Sequence, residues 1–159
     1  MLDTEEIILG NIGKGLLAGL AATVVLSILM VLKAMMGIMP ELDLPKMLAG
    51  MMGSSDTPGI GWAIHFMIGV VVYGVAIALL DEHLPGQGST THGLLLACAG
   101  WLIMMVVLMP MAGAGIFGMK MGPMAPLMTL VLHLVFGAVL GWTYGKLMSN
   151  PTPSLATSG

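Results

Sequence analysis

Residues 60–80 read IGWAIHFMIGVVVYGVAIALL and contain no Asp, Glu, Lys or Arg. A run of this length crosses the hydrocarbon core of a bilayer, which needs about 20 apolar residues in a helix. Its first turns carry one imidazole, His65, four residues before Gly69. The stretch therefore predicts a membrane-spanning helix that takes a polar side chain into the bilayer.

The rest of the chain has the composition of a membrane protein. Of its 159 residues, 57% are hydrophobic and 8% are charged, whereas soluble domains carry about 25% charged residues. Three further apolar runs reach spanning length, at 15–32, 93–111 and 125–147. The five cationic residues are all Lys and form no cluster, which excludes a nucleic-acid-binding surface. We predict an all-α polytopic protein with four transmembrane helices in a lipid bilayer.

The chain divides into one transmembrane domain, 1–148, and a tail, 149–159, whose Pro, Ser and Thr content predicts disorder. Residues 1–11 are predicted as a polar lead-in to the first span. The first connection carries the signals of a short interfacial helix, because Asp43 suits an N-cap and Pro45 suits the first turn.

Two motifs recur in the same order. GLLAG at 15–19 lines up with GLLLA at 93–97, and HFMIG at 65–69 lines up with HLVFG at 133–137. We therefore predict two related hairpins that cross the membrane in the same direction, a parallel repeat.

The predicted repeat halves are about 12–80 and 90–147. Small residues at four-residue intervals let two helices approach closely inside a bilayer. We predict that helix packing uses the glycines of the first and last spans: Gly15, Gly19, Gly137, Gly141 and Gly145.

The combination resembles the small four-helix bacterial membrane proteins that are grouped as domains of unknown function. The likeness is carried by GLLAGLAAT at 15–23, by HFMIG at 65–69 and by HLVFGAVLG at 133–141. It implies a four-helix fold and supplies no activity. We predict a multi-pass protein of the bacterial inner membrane. The chain departs from the pattern in its 18 Met and its lack of Arg.

His65 and His133 are the first candidates for chemistry. An ionisable side chain inside a membrane faces the helix bundle or a polar partner. Two imidazoles on partner helices could ligate a b-type haem, and Gly69 and Gly137 would leave room for the flat macrocycle. The structural alternative is that each imidazole hydrogen-bonds a backbone carbonyl or a Thr of a neighbouring helix.

Methionine is the second candidate. Met119, Met121 and Met124 have the spacing M-x-M-x-x-M in the third connection. Thioethers are soft ligands that favour Cu(I), so the triplet predicts a Cu(I) site. The alternative is that Met fills gaps as a flexible apolar side chain.

The acidic end of the second span, Asp81 and Glu82 with His83, has two interpretations. Together with His92 it could bind a hard metal ion, or it is the solvated boundary of the membrane. No nucleophile elbow, phosphate loop or HExxH motif is present. We therefore expect no enzymatic activity and predict an accessory or stabilising subunit, partnered by other membrane subunits or by a second copy. Haem-based electron transfer and Cu(I) binding are the alternative functions.

Overall fold

The computed structural model of the protein describes residues 4–150. Five α-helices account for most of this range, with no strand between its ends, and a 3-10 helix, Ile116–Met121, precedes the last α-helix. The α-helices are α1 (Thr4–Met35), α2 (Leu44–Met51), α3 (Pro58–Leu80), α4 (Ser89–Met111) and α5 (Met124–Ser149).

The prediction of four spanning helices is confirmed, because α1, α3, α4 and α5 are each long and apolar enough to cross a membrane. The first differs from the prediction at its start. Helix α1 begins at Thr4 rather than after a lead-in of 11 residues. Glu5 and Glu6 lie in its first turn, where carboxylates stabilise the positive end of the helix dipole. The tail from residue 151 onward, for which disorder was predicted, lies outside the described residues.

The short helix of the first connection begins as its sequence predicts. The Asp43 side chain accepts a hydrogen bond from the backbone N–H of Lys46 at 3.0 Å, and Pro45 occupies the first turn. The backbone of Pro45 contacts Gly61, at a distance that leaves no space for a Cβ on Gly61. Helix α2 is thereby held against the first turns of α3.

The spanning helices lie side by side in the order α3, α1, α5, α4. Helices α1 and α5 form the centre, with α3 on the outer side of α1. Gly19 faces the carbonyl oxygens of Gly69 and Val70, and a Cβ on Gly19 would lie 2.7 and 2.9 Å from them. Gly15 faces the backbone of Gly74 at similarly close range. Both glycines therefore lie in the contact between α1 and α3.

Helix α4 packs on α5 through the glycine stripe of the last span. A Cβ on Gly137 would lie 2.5 Å from the Cβ of Ala97, and Gly141 contacts the backbone of Ser89. Gly145 lies farther from α4, since its Cβ would be 3.4 Å from the Ser89 Cβ. The stripe is thus covered by a helix of the same chain.

Both outer helices, α3 and α4, contain a stretch of π-helix. In α3 it runs Met67–Val72 and starts two residues after His65, and in α4 it runs Met104–Leu108. Such stretches are rare and occur frequently at functional sites. Both segments border the same gap between α3 and α4.

Candidate functional site

A cleft of about 470 Å³ separates α3 from α4. The two helices approach each other most closely between the last turns of α3 and the first half of α4. From there they diverge toward the side of the membrane that carries α2. Leu26 of α1 and Phe136 of α5 form the floor of the cleft, and Leu48 of α2 lies at its wide end.

The cleft opens sideways toward the lipid. Val72 on one wall and Ile103 and Val107 on the other are exposed, Ile103 to 63%. In a bilayer these apolar side chains contact lipid acyl chains. A lipid-soluble molecule therefore has a lateral route into the cleft from the membrane interior.

The narrow end of the cleft is closed by an aromatic pair. The rings of Tyr73 and Phe136 meet edge to face, with centroids 4.9 Å apart. The Tyr73 hydroxyl contacts Gly100 of α4 so closely that no larger residue fits there. Gly100 thus allows α3 and α4 to meet at this depth.

His65 enters the cleft from α3 and is 5% exposed. Its Nε2 lies 3.3 Å from the Ser27 hydroxyl, and that hydroxyl donates to the Thr23 carbonyl at 2.7 Å. A hydroxyl has one hydrogen to donate. Ser27 therefore accepts from His65, so Nε2 carries the ring proton and Nδ1 keeps its lone pair.

His133 enters from α5 in the opposite tautomer. Its Nδ1 lies 2.8 Å from the backbone carbonyl oxygen of Thr129. A carbonyl can only accept, so Nδ1 carries the proton and Nε2 keeps its lone pair. Trp101 of α4 holds α5 in place beside His133, because its indole N–H donates to the Thr129 hydroxyl at 3.1 Å.

His65 and His133, which both line the cleft, thus each keep one ring nitrogen that can only accept hydrogen bonds or ligate a metal. Between residues 5 and 150, no side chain or backbone group hydrogen-bonds Nδ1 of His65 or Nε2 of His133. Neither nitrogen is enclosed by protein, and both residues line the cleft. The two predicted site histidines thus share one cavity.

The two glycines of the predicted haem site lie in helix contacts. Gly69 borders the cleft, but a Cβ on it would collide with the Thr23 hydroxyl of α1. Gly137 does not line the cleft and instead contacts Gly93 and Ala97 of α4. The space beside the imidazoles comes from the divergence of α3 and α4.

The three methionines of the predicted Cu(I) site point to different surroundings. Met119 and Met124 are 57% and 56% exposed, whereas Met121 packs on a buried apolar cluster. That cluster joins the first and third connections and is itself rich in Met, with Met105 and Met109 fully buried.

A second polar group lies at the other side of the membrane, where α3 ends and α4 begins. Asp81 accepts from Nδ1 of His92 at 2.8 Å and from the Ser89 hydroxyl at 3.0 Å. Nε2 of His92 is buried and has no hydrogen-bond partner in the described part of the chain. His83 and Glu82 are exposed, and no three metal-ligating acidic, His or Cys side chains meet within residues 4–150. Asp81 instead holds the connection to the first turn of α4.

The family of the chain follows from its sequence match. Residues 9–155 fit the model of a family of unknown function, DUF6789. The chain belongs to the DUF6789 family. The matched range includes most of α1, the other three spans and both cleft histidines of this DUF6789 protein. The predicted resemblance to a four-helix family of unknown function is confirmed. No curated protein and no solved structure gives a significant match.

Sequence reasoning missed two parts of this DUF6789 site. The expected partner of each imidazole was a backbone carbonyl or a Thr of a neighbouring helix, but His65 pairs with the Ser27 hydroxyl, and the carbonyl beside His133 is that of Thr129 in its own helix. The signal for Ser27 was present, since it is the second hydroxyl of the first span, one turn beyond Thr23. The wall supplied by α4 has no such signal, because the cleft-lining positions of that helix are all apolar.

Proposed function

We propose that the protein is a membrane-embedded binding protein, without enzymatic activity of its own, that holds a neutral lipid-soluble ligand in the cleft. The observation that carries this proposal is the meeting of His65 and His133, from two different spans, in one apolar cavity. Its volume of about 470 Å³ is that of typical small-molecule sites, which are mostly apolar with a few placed polar groups. An imidazole inside a bilayer is unfavourable unless a partner or a function keeps it there.

The surroundings favour a neutral ligand over a charged one. The cleft is lined by apolar side chains apart from the two imidazoles and the Tyr73 hydroxyl, and no Lys or acidic residue lines it. A charge buried in such surroundings would lack a counter-ion, which makes its transfer from water strongly unfavourable. The lateral opening suits a molecule that already resides in the membrane.

A residue that narrows the cleft is expected to weaken binding. Ala99 and Cys98 are adjacent exposed residues of α4, and of the two only Ala99 lines the cleft. We expect Ala99→Phe to lower the affinity for a neutral aromatic probe, decyl dimethoxybenzene, by about tenfold or more, because the added ring removes space for several carbon atoms. Isothermal titration calorimetry on protein in nanodiscs measures the affinity.

Cys98→Phe is the matched control, since it adds a ring of comparable bulk to the same helix outside the cleft. It is expected to bind the probe as the wild type does. If the wild type binds the probe and both variants bind it as tightly, the cleft is not the binding site and the proposal fails.

Haem b is the second candidate occupant, and the geometry of His133 favours it. Metal-ligating histidines usually donate their other ring N–H to a carbonyl or a carboxylate, and His133 donates its Nδ1–H to the Thr129 carbonyl. His65 presents Nδ1 rather than Nε2 to the cleft. Ligation of iron through Nε2 of both residues would require the His65 ring to turn away from Ser27. The two propionates of haem would also have to reach the membrane surface, since no cation lines the cleft.

If haem b is the occupant, the purified protein is expected to show a Soret band with the spectrum of a bis-imidazole haem, after expression or after haem addition. His133→Ala is then expected to lose that spectrum, because its Nε2 is the nitrogen best placed to ligate iron. His83→Ala, an exposed residue outside the cleft, is the control. A wild-type protein without a Soret band, with or without added haem, excludes haem-based electron transfer.

The other functions expected from the sequence receive less support from the contacts. An accessory or stabilising subunit needs a face for another membrane subunit or a second copy, but the glycine stripe at Gly137 and Gly141 already packs on α4. The Cu(I) hypothesis needs converging thioethers, whereas Met121 is directed into the apolar cluster and Met119 is exposed. A location in the bacterial inner membrane is part of our proposal and rests on the resemblance to bacterial proteins.

A further inference from the structure

We infer that the ligand of the cleft donates hydrogen bonds at two points and is a lipid-soluble hydroquinone, an inference that rests on the binding function proposed above. It is carried by the protonation pattern of the two cleft histidines. Each imidazole has its N–H engaged with protein, His65 with the Ser27 hydroxyl and His133 with the Thr129 carbonyl. Each therefore presents to the cleft a nitrogen that can only accept.

The opposite tautomers would leave protein groups without their partners. If His133 carried its proton on Nε2, its Nδ1 lone pair would face the lone pairs of the Thr129 carbonyl at 2.8 Å. If His65 carried its proton on Nδ1, its Nε2 would face a Ser27 oxygen whose hydrogen already goes to the Thr23 carbonyl. The contacts within the protein thus favour both free nitrogens as acceptors.

Two acceptors select among neutral ring compounds. A hydroquinone has two O–H groups on opposite sides of a flat ring, and each can donate to an imidazole nitrogen that only accepts. A quinone carries carbonyl oxygens instead, which would face the imidazole lone pairs and leave acceptors buried without partners. The Tyr73 hydroxyl both donates and accepts, so it does not discriminate between the two forms.

The shape of the cleft agrees with a ring that carries an alkyl chain. The aromatic pair Tyr73 and Phe136 closes the narrow end, where a flat ring can pack on aromatic edges. The chain would leave through the lateral opening beside Val72 and Ile103, both exposed to lipid. Its methylene groups then stay in an apolar medium throughout.

The test compares decylhydroquinone, kept reduced under anaerobic conditions, with its dimethyl ether, decyl dimethoxybenzene. The pair shares the ring and the chain and differs in the two donors. We expect wild-type protein in nanodiscs to bind the hydroquinone about tenfold to a hundredfold more tightly, because two hydrogen bonds are gained. In His65→Phe and His133→Phe we expect the hydroquinone affinity to fall toward that of the ether.

Far-UV circular dichroism and thermal unfolding of the nanodisc samples report whether each His→Phe variant is folded. Equal binding of the two compounds to the wild type, or tighter binding of the ether, overturns the hydroquinone inference and leaves the binding cleft standing. Absence of binding for both compounds overturns the cleft itself. The wild-type comparison decides the matter even if a His→Phe variant does not fold.

Discussion

Gly93→Leu is expected to lower the free energy of unfolding by about 3 kcal/mol or more, the largest effect of any single substitution considered for this chain. A Cβ on Gly93 would collide with the carbonyl oxygen of Gly137 and would lie 2.7 Å from the backbone N of Gly141. Backbone atoms cannot turn aside as a side chain does. Helices α4 and α5 would have to separate along their length.

Gly13→Leu is the matched control, because Gly13 lies inside α1 with no atom near the position of its Cβ. Both substitutions gain the same helix propensity, about 1 kcal/mol relative to Gly, so their difference isolates the packing. Reversible unfolding of protein in mixed micelles, followed by circular dichroism, measures both. Equal stabilities of the two variants would contradict the close approach of α4 and α5.

Asp81→Ala is expected to destabilise the protein by about 2–3 kcal/mol, because one carboxylate serves two donors at the start of α4. Its loss leaves Nδ1 of His92 and the Ser89 hydroxyl without their acceptor. His92 is 8% exposed and its Nε2 already lacks a partner in the described chain. The whole ring would then be buried without a hydrogen bond.

Glu82→Ala is the control for Asp81→Ala, since Glu82 is the neighbouring exposed carboxylate. It is expected to change stability by less than about 0.5 kcal/mol. Asp81→Asn keeps one acceptor oxygen and is expected to recover about half of the loss. The same unfolding assay compares all three. If Asp81→Ala and Glu82→Ala were equally stable, the connection would not depend on the Asp81 hydrogen bonds.

Local signals predicted the helices well because each depends on a few neighbouring residues. The four spans follow from uninterrupted apolar runs, and α2 follows from Asp43 and Pro45 at its start. The early start of α1 was missed because Glu5 and Glu6 were interpreted as solvated polar residues rather than as first-turn carboxylates. Helix α1 is therefore longer than a membrane span requires and extends toward the N-terminus as far as Thr4.

The order of the helices could not be predicted, because a span that is apolar on all sides does not indicate which face meets protein. The glycine motifs identified faces of close contact, but not the partner of each face. Gly137 could equally have faced α1 or another chain; it faces Gly93 of α4. For the same reason the cleft was not foreseen, since its wall on α4 consists of residues such as Leu96 and Ile103 that carry no distinctive pattern.

The histidines were the part of the site that sequence reasoning could identify, because ionisable groups in a bilayer are rare and need a reason to be there. The repeated spacing of His65 and His133 predicted that they lie near each other, and both now line one cavity. Their tautomers depend on Ser27 and on the Thr129 backbone, contacts that no local pattern encodes. The repeat of the two hairpins stays a prediction.

Because the cleft opens sideways toward the lipid, occupancy of the site depends on the concentration of the ligand in the membrane rather than in water. A molecule that reaches the protein from the bilayer is present there at its mole fraction among the lipids. Each methylene of its tail makes transfer from water into the lipid more favourable by about 0.8 kcal/mol, which increases that mole fraction. A hydrophobic compound that is scarce in water can therefore saturate the site with weak intrinsic contacts. The alkyl tail thus sets the concentration of the ligand in the membrane, and His65 and His133 have only to discriminate between different head groups.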